Sequence, residues 1–151
     1  MDFKNNRRRI IESIEHAIAN NCILRTGQEL EVSGYSCDDH FKEIDLFSHC
    51  WDTIGEILKG GYSKNLVIDI GMPILHRSVS YNCKVILYNN KIVLIRPKMH
   101  LADEGNYREK RFFMHYTPLP HFALEKYYLP DYIKGITGQD YSDFGYAHLR
   151  F

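Results

Sequence analysis

Two glutamates stand two residues apart in TGQELEVSGYSCDDHF, residues 26–41. Glu29 and Glu31 follow the short apolar stretch Cys22-Ile23-Leu24 and lie between Gly27 and Gly34, with Tyr35 next in line. A carboxylate at the end of a buried strand is costly unless it is paired or put to use. The glycines free the backbone there, so Glu29 can be aimed into a pocket, where a carboxylate can act as a general base. Glu31 reads as a surface residue of the same loop. A second group lies in RPKMHLADEGNYREKRFF, residues 96–113. Lys98 ends the apolar run KIVLI behind Pro97, and the commoner fate of such a lysine is to extend into solvent. Held instead by carboxylates, Glu109 among them, its charge can stabilise an oxyanion.

Other polar residues read as structural. The eight histidines are scattered, with none in a metal-binding spacing. Asp69 and Asn82 interrupt apolar runs, where buried polar side chains most often satisfy backbone groups. Cys22, Cys37, Cys50 and Cys83 are irregularly spaced and contain no CxxC pair, so neither a disulfide framework nor a structural zinc site is expected. Cys83, in mid-strand, reads as a small packing residue.

These groups need a scaffold. The chain has 151 residues, 44% apolar and 25% charged, a composition that suits one globular domain. Nineteen basic residues balance nineteen acidic ones, which argues against a nucleic-acid partner. No apolar run is long enough for a membrane span, and the N-terminus lacks the apolar core of a secretory signal, so a cytoplasmic location is expected.

Residues 5–20 predict an amphipathic helix carrying Ile10, Ile11, Ile14, Ala17 and Ile18 on one face, capped at Asn5 or Asn6. Cys22-Ile23-Leu24 predicts a short buried strand. Ile44, Phe47, Trp51, Ile54 and Leu58 form a second helical stripe within a helix from about Asp39 to Lys59, with Asp38 or Asp39 as cap. Strands follow at Leu66–Leu75 and Val79–Tyr88, then a two-residue turn at Asn89-Asn90 and a partner strand running to Lys98. Three prolines make 116–130 an expected loop. LPDYIKGI reads as a short helix, and Phe144–Phe151 as the start of another strand. The order implies an α/β layered fold whose near-continuous apolar strands suit a sheet covered on both faces.

A carboxylate after a strand, a lysine ending a later hairpin strand and the segment KxHxxDxxxYxEKxxF together resemble the nitrilase, or carbon–nitrogen hydrolase, superfamily. Within it, ELEVSGYSCDDHF, IDIGMPILHRSVSYNCKVILYNNKIVLIRPKM, LADEGNYRE and YYLP are similar to the glutaminase domains of eukaryotic-type glutamine-dependent NAD+ synthetases, over nearly the whole chain. The resemblance implies part of an αββα sandwich. It matches Glu29 to the general base, Lys98 to the triad lysine, Glu109 to a supporting carboxylate and Tyr35 to a tyrosine near the glutamine pocket. It implies glutamine as substrate and a synthetase domain as partner, within a homo-oligomer. No cofactor or metal is implied for this domain; ATP and Mg belong to the synthetase domain. The family's nucleophilic cysteine has no match among the four cysteines. On this reading residues 1–151 are the N-terminal part of a glutaminase domain, truncated at both ends and inactive alone. Two other readings stand beside it: a non-catalytic binding or assembly remnant, and a nitrilase-type amidase acting on another amide.

Overall fold

The first amphipathic stretch folds as helix α1, Phe3–Ala19, with Ile10 and Ile14 buried. Its cap is Asp2, not Asn5 or Asn6: the Asp2 carboxylate accepts the Asn5 backbone N–H at 3.1 Å. A charged acceptor at the positive end of the helix dipole draws the start forward. The computed structural model describes residues 1–147.

The expected buried strand at Cys22-Ile23-Leu24 is corrected in both place and burial. Strand β1 is Leu24–Thr26, and Cys22, Ile23 and Leu24 are all exposed. Among the described residues it is an edge strand; its register with the later strand Val67–His76 sets Leu24 and Thr26 on the uncovered face of the sheet with Asp69, and Arg25 on the covered face with Ile68.

The second helical stretch divides. A 3₁₀ segment at Asp38–Lys42 is separated from helix α2, Ile44–Lys59, by Glu43, whose extended backbone makes it the cap of α2 in place of Asp38 or Asp39. Phe47, Trp51, Ile54 and Leu58 are buried as the stripe requires, while Ile44, at the first position of the helix, is exposed.

Strands β2 (Val67–His76), β3 (Val79–Tyr88) and β4 (Lys91–Pro97) form an antiparallel meander. Both connecting turns take positive φ at their two central residues: 50° and 64° at Arg77-Ser78, 47° and 57° at Asn89-Asn90. Such turns match the twist of paired strands. The segment expected as a loop over 116–130 contains strand β5, Glu125–Tyr128, which lies between the prolines and pairs with β6. Helix α3 is Asp131–Thr137 and strand β6 is Tyr141–Phe144. The strand expected from Phe144 onward thus ends where it was expected to begin; residues 148–151 lie outside the described residues.

Among the described residues six strands form one sheet in the order β1-β2-β3-β4-β6-β5, giving an α/β fold. One face carries Ile68, Ile70, Met72 and Ile74 of β2 with Cys83, Val85 and Leu87 of β3, and these join residues of all three helices in a single core. The opposite face carries Asp69, Gly71, Asn82, Lys84 and Arg96, brought side by side by the register Gly71↔Lys84↔Arg96 and Pro73↔Asn82. Helices therefore cover one face of the sheet among the described residues, not both as the apolar strands suggested. The second face is the bed of the site.

Candidate active site

Lys98 follows directly on β4, where its backbone N–H donates to the Asn82 carbonyl at 2.8 Å and extends the pairing with β3. This fixes its side chain on the polar face. The ammonium sits between two carboxylates, 2.8 Å from Glu29 Oε1 and 2.9 Å from Glu109 Oε2.

Glu109 is the more enclosed of the two. It starts a 3₁₀ turn, and its carboxylate also accepts the Ala102 N–H at 2.5 Å and the Asn82 Nδ2 at 2.9 Å. The Glu109 N–H in turn donates to the Ala102 carbonyl at 3.1 Å, so residues 102–109 close on themselves. With lysine, amide and backbone all satisfied, Glu109 is fully engaged and anchored. Glu29 is 37% exposed and faces a cleft of about 350 Å³ lined by Asn82, Lys84, Arg96, Lys98 and His100. Its second partner is the Tyr35 hydroxyl, which donates to Oε2 at 3.0 Å.

Electrostatics follow from these contacts. Burial is the largest influence on Glu29 and favours its neutral form. The hydrogen bond and charge of Lys98, the Tyr35 hydroxyl and the charge of Lys84 together outweigh it, holding the carboxyl below the ordinary value of 4.5. Burial likewise opposes the charge on Lys98, but Glu29 and Glu109 prevail and raise it above 10.5. Burial and the adjoining Glu29 carboxylate both push the Tyr35 phenol upward, so it remains a donor. The centre is an ionised carboxylate against a fixed ammonium, a pair that can take up a proton and stabilise a developing negative oxygen.

Glu29, Lys98, Glu109 and Tyr35 thus meet in one place, although Tyr35, expected beside a substrate, spends its hydroxyl on Glu29. Three other expectations change. Glu31 is no surface residue: its side chain is 10% exposed and forms a bidentate pair with Arg25. Asn82 serves Glu109 rather than the backbone. Asp69 does accept the Gly27 N–H at 2.9 Å, but it also pairs with Lys84, whose ammonium bonds the carbonyls of Gly27 and Gln28. Lys84 carried no signal beyond a charge on an apolar strand.

Cys83 belongs to the stretch of β3 that lines the cleft, but its thiol is buried in the core on the other face of the sheet. Cys22 is exposed beyond the end of α1, and Cys37, Cys50 and Cys83 are buried. Burial pushes the thiols of Cys37, Cys50 and Cys83 up, away from the thiolate a nucleophile needs. Among the described residues no group of three His, Cys, Asp or Glu side chains is arranged to hold a metal ion.

The carbon–nitrogen hydrolase family model matches residues 1–148. The chain belongs to the carbon–nitrogen hydrolase family. Glutamine-dependent NAD(+) synthetases are among its relatives: it is 50% identical over 149 residues to that of Dictyostelium discoideum, 46% over 147 residues to that of Drosophila melanogaster, and 44% over 149 residues to that of Homo sapiens. These alignments cover 97%, 97% and 99% of this chain but 20%, 18% and 21% of the relatives, so the chain spans about a fifth of their length. Among solved structures, a glutamine-dependent NAD(+) synthetase from Cytophaga hutchinsonii superposes with a TM-score of 0.85 at 23% identity, over 99% of this chain and 24% of that one. An amidase double mutant from Nesterenkonia sp. AN1 in complex with acrylamide superposes at 0.61 and 13% identity over 80% of this chain and 44% of that one. At those identities the likeness concerns the fold alone.

Proposed function

We propose that this carbon–nitrogen hydrolase chain is the base-and-lysine part of the glutaminase unit of a glutamine-dependent NAD+ synthetase. The observation that carries the proposal is the Lys98 ammonium held between Glu29 and Glu109 at the mouth of an open cleft. The names of relatives 41–50% identical to the chain support the choice of glutamine over another amide.

In this reading Glu29 takes the proton of a cysteine thiol. The thiolate attacks the side-chain amide carbon of glutamine, and Lys98 stabilises the oxyanion that forms. Protonated Glu29 then gives its proton to the departing ammonia. Next it draws one from a water molecule that cleaves the thioester, releasing glutamate. Glu109 keeps Lys98 charged and fixed. The nucleophile is none of Cys22, Cys37, Cys50 and Cys83, so this chain alone releases no ammonia from glutamine. The ammonia serves amidation of deamido-NAD+ in the synthetase domain, within a cytoplasmic homo-oligomer. In this reading ATP and Mg act in that domain.

A chimera tests the proposal. Residues 1–147 replace the matching segment of a full-length relative, and NAD+ synthesis is measured with glutamine and, separately, with ammonium. Glu29→Gln should reduce the glutamine-supported rate by about 10²-fold or more, the scale of a lost general base, and leave the ammonium-supported rate intact. Equal loss on both nitrogen sources, or none, would overturn the proposal.

A further inference from the structure

The segment that carries Glu29 is held by two ion pairs: Arg25–Glu31, and Lys84–Asp69, whose lysine also lines the cleft. Behind it, Arg25 and Glu31 form a bidentate pair at 2.8 and 2.9 Å, with side chains 8% and 10% exposed. The Arg25 guanidinium also bonds Ser13 Oγ on α1 at 3.1 Å and the Asp69 carbonyl on β2 at 3.3 Å. The pair lies directly over Gly27, where an added Cβ would stand 1.7 Å from Glu31 Oε1 and 2.6 Å from the Arg25 guanidinium. Ahead of it, Lys84 and Asp69 bind the Gly27 and Gln28 backbone from the sheet. Beneath it, Gly71 leaves the backbone of residues 28–30 in contact with β2.

We propose that Glu31, through Arg25, is a positioning residue that holds the Glu29 carboxylate against Lys98. The inference rests on reading Glu29 as the base. Without the pair, the loop from Gly27 to Gly34 loses its link through Arg25 to Ser13 and β2 and keeps the Asn6 bond to the Val32 carbonyl as its tie to α1, and the 2.8 Å contact between Glu29 and Lys98 loosens. The pair is deep enough that its two charges must stay together, since an orphaned buried charge is strongly destabilising.

The test exploits opposing signs. The Glu29 carboxyl is titrated by ¹³C NMR in the full chain, in Glu31→Gln, and in the double variant Arg25→Met/Glu31→Leu. Removing the Glu31 charge alone favours ionisation of Glu29 and moves its midpoint down. Releasing Glu29 from Lys98 moves it up. The proposal predicts an upward shift in both variants and partial return toward the native midpoint in Glu31→Asp. The double variant, which replaces an ion pair by apolar side chains, guards against unfolding, and a thermal melt run alongside verifies it. A downward or unchanged midpoint in a folded double variant overturns the positioning role and leaves the glutaminase reading standing. An upward shift, together with a chimera insensitive to Glu29→Gln, supports the positioning role and sinks the glutaminase reading instead.

Discussion

Replacing Gly71 by alanine probes how closely the Glu29 segment is seated on the sheet. A Cβ built at this position of β2 would lie 2.2 Å from the Gln28 carbonyl oxygen, 2.6 Å from the Leu30 nitrogen and 2.9 Å from the Glu29 carbonyl carbon. All three are backbone atoms, so no flexible side-chain end can swing away. Ordinary contact begins near 3.4 Å, so the segment must rise by about 1 Å. Overpacking of this kind costs about 1–3 kcal/mol. For a domain of this size about 1 kcal/mol moves Tm by roughly 2–4 °C, giving an expected fall of about 2–12 °C. The assay is thermal unfolding by circular dichroism on the purified chain. The same displacement separates Glu29 from Lys98, so the Glu29 carboxyl resonance should shift in NMR spectra. An alanine variant with native Tm and an unchanged Glu29 resonance refutes the reasoning.

Other outcomes follow from the same geometry. The ionised Glu29 contributes stability that is complete above pH 4.5 and is lost as acid carries the pH down through its depressed folded midpoint. Protonated Lys98 contributes below pH 10.5 and is lost as alkali rises through its raised one. The contribution of this pair to Tm should therefore be constant between these limits, while the buried thiols bring a decline above pH 9, and in Glu29→Gln the acid limb attributable to this residue should vanish. A thiol reagent should modify Cys22 quickly in the native chain and the other three only on unfolding; rapid native modification of a second cysteine contradicts the burial described here. Ile54→Ala, at a fully buried position of α2, should cost about 2–5 kcal/mol in denaturant unfolding, and a cost under about 1 kcal/mol contradicts the packing.

The parts of the fold readable in the sequence were those carried by local periodicity: the α2 stripe of Phe47, Trp51, Ile54 and Leu58, the β2–β3–β4 run and the Asn89-Asn90 turn. What was missed depended on partners distant in the chain. Ile23 and Leu24 look like a buried strand, yet they lie at a sheet edge whose neighbour, β2, comes some forty residues later. Glu31 looks like a loop glutamate because its partner Arg25 is hidden among exposed apolar residues. The Asn82 contact depends on an irregularity no pattern reports. From Asn89-Asn90 the register runs Tyr88↔Lys91 and Leu87↔Ile92, then skips one residue so that Ile86 pairs with Leu94. A regular hairpin would set Lys98 opposite Tyr81, on the core face. The bulge sets it opposite Asn82, on the face where Glu29 and Glu109 wait.

The central physical claim is that Lys98 holds Glu29 ionised. Comparing the Glu29 carboxyl titration by ¹³C NMR in the native chain and in Lys98→Met measures this directly. The account predicts a midpoint below the ordinary glutamate value in the native chain and a rise when the ammonium is removed. A native midpoint at or above that value, unmoved by the substitution, would contradict it.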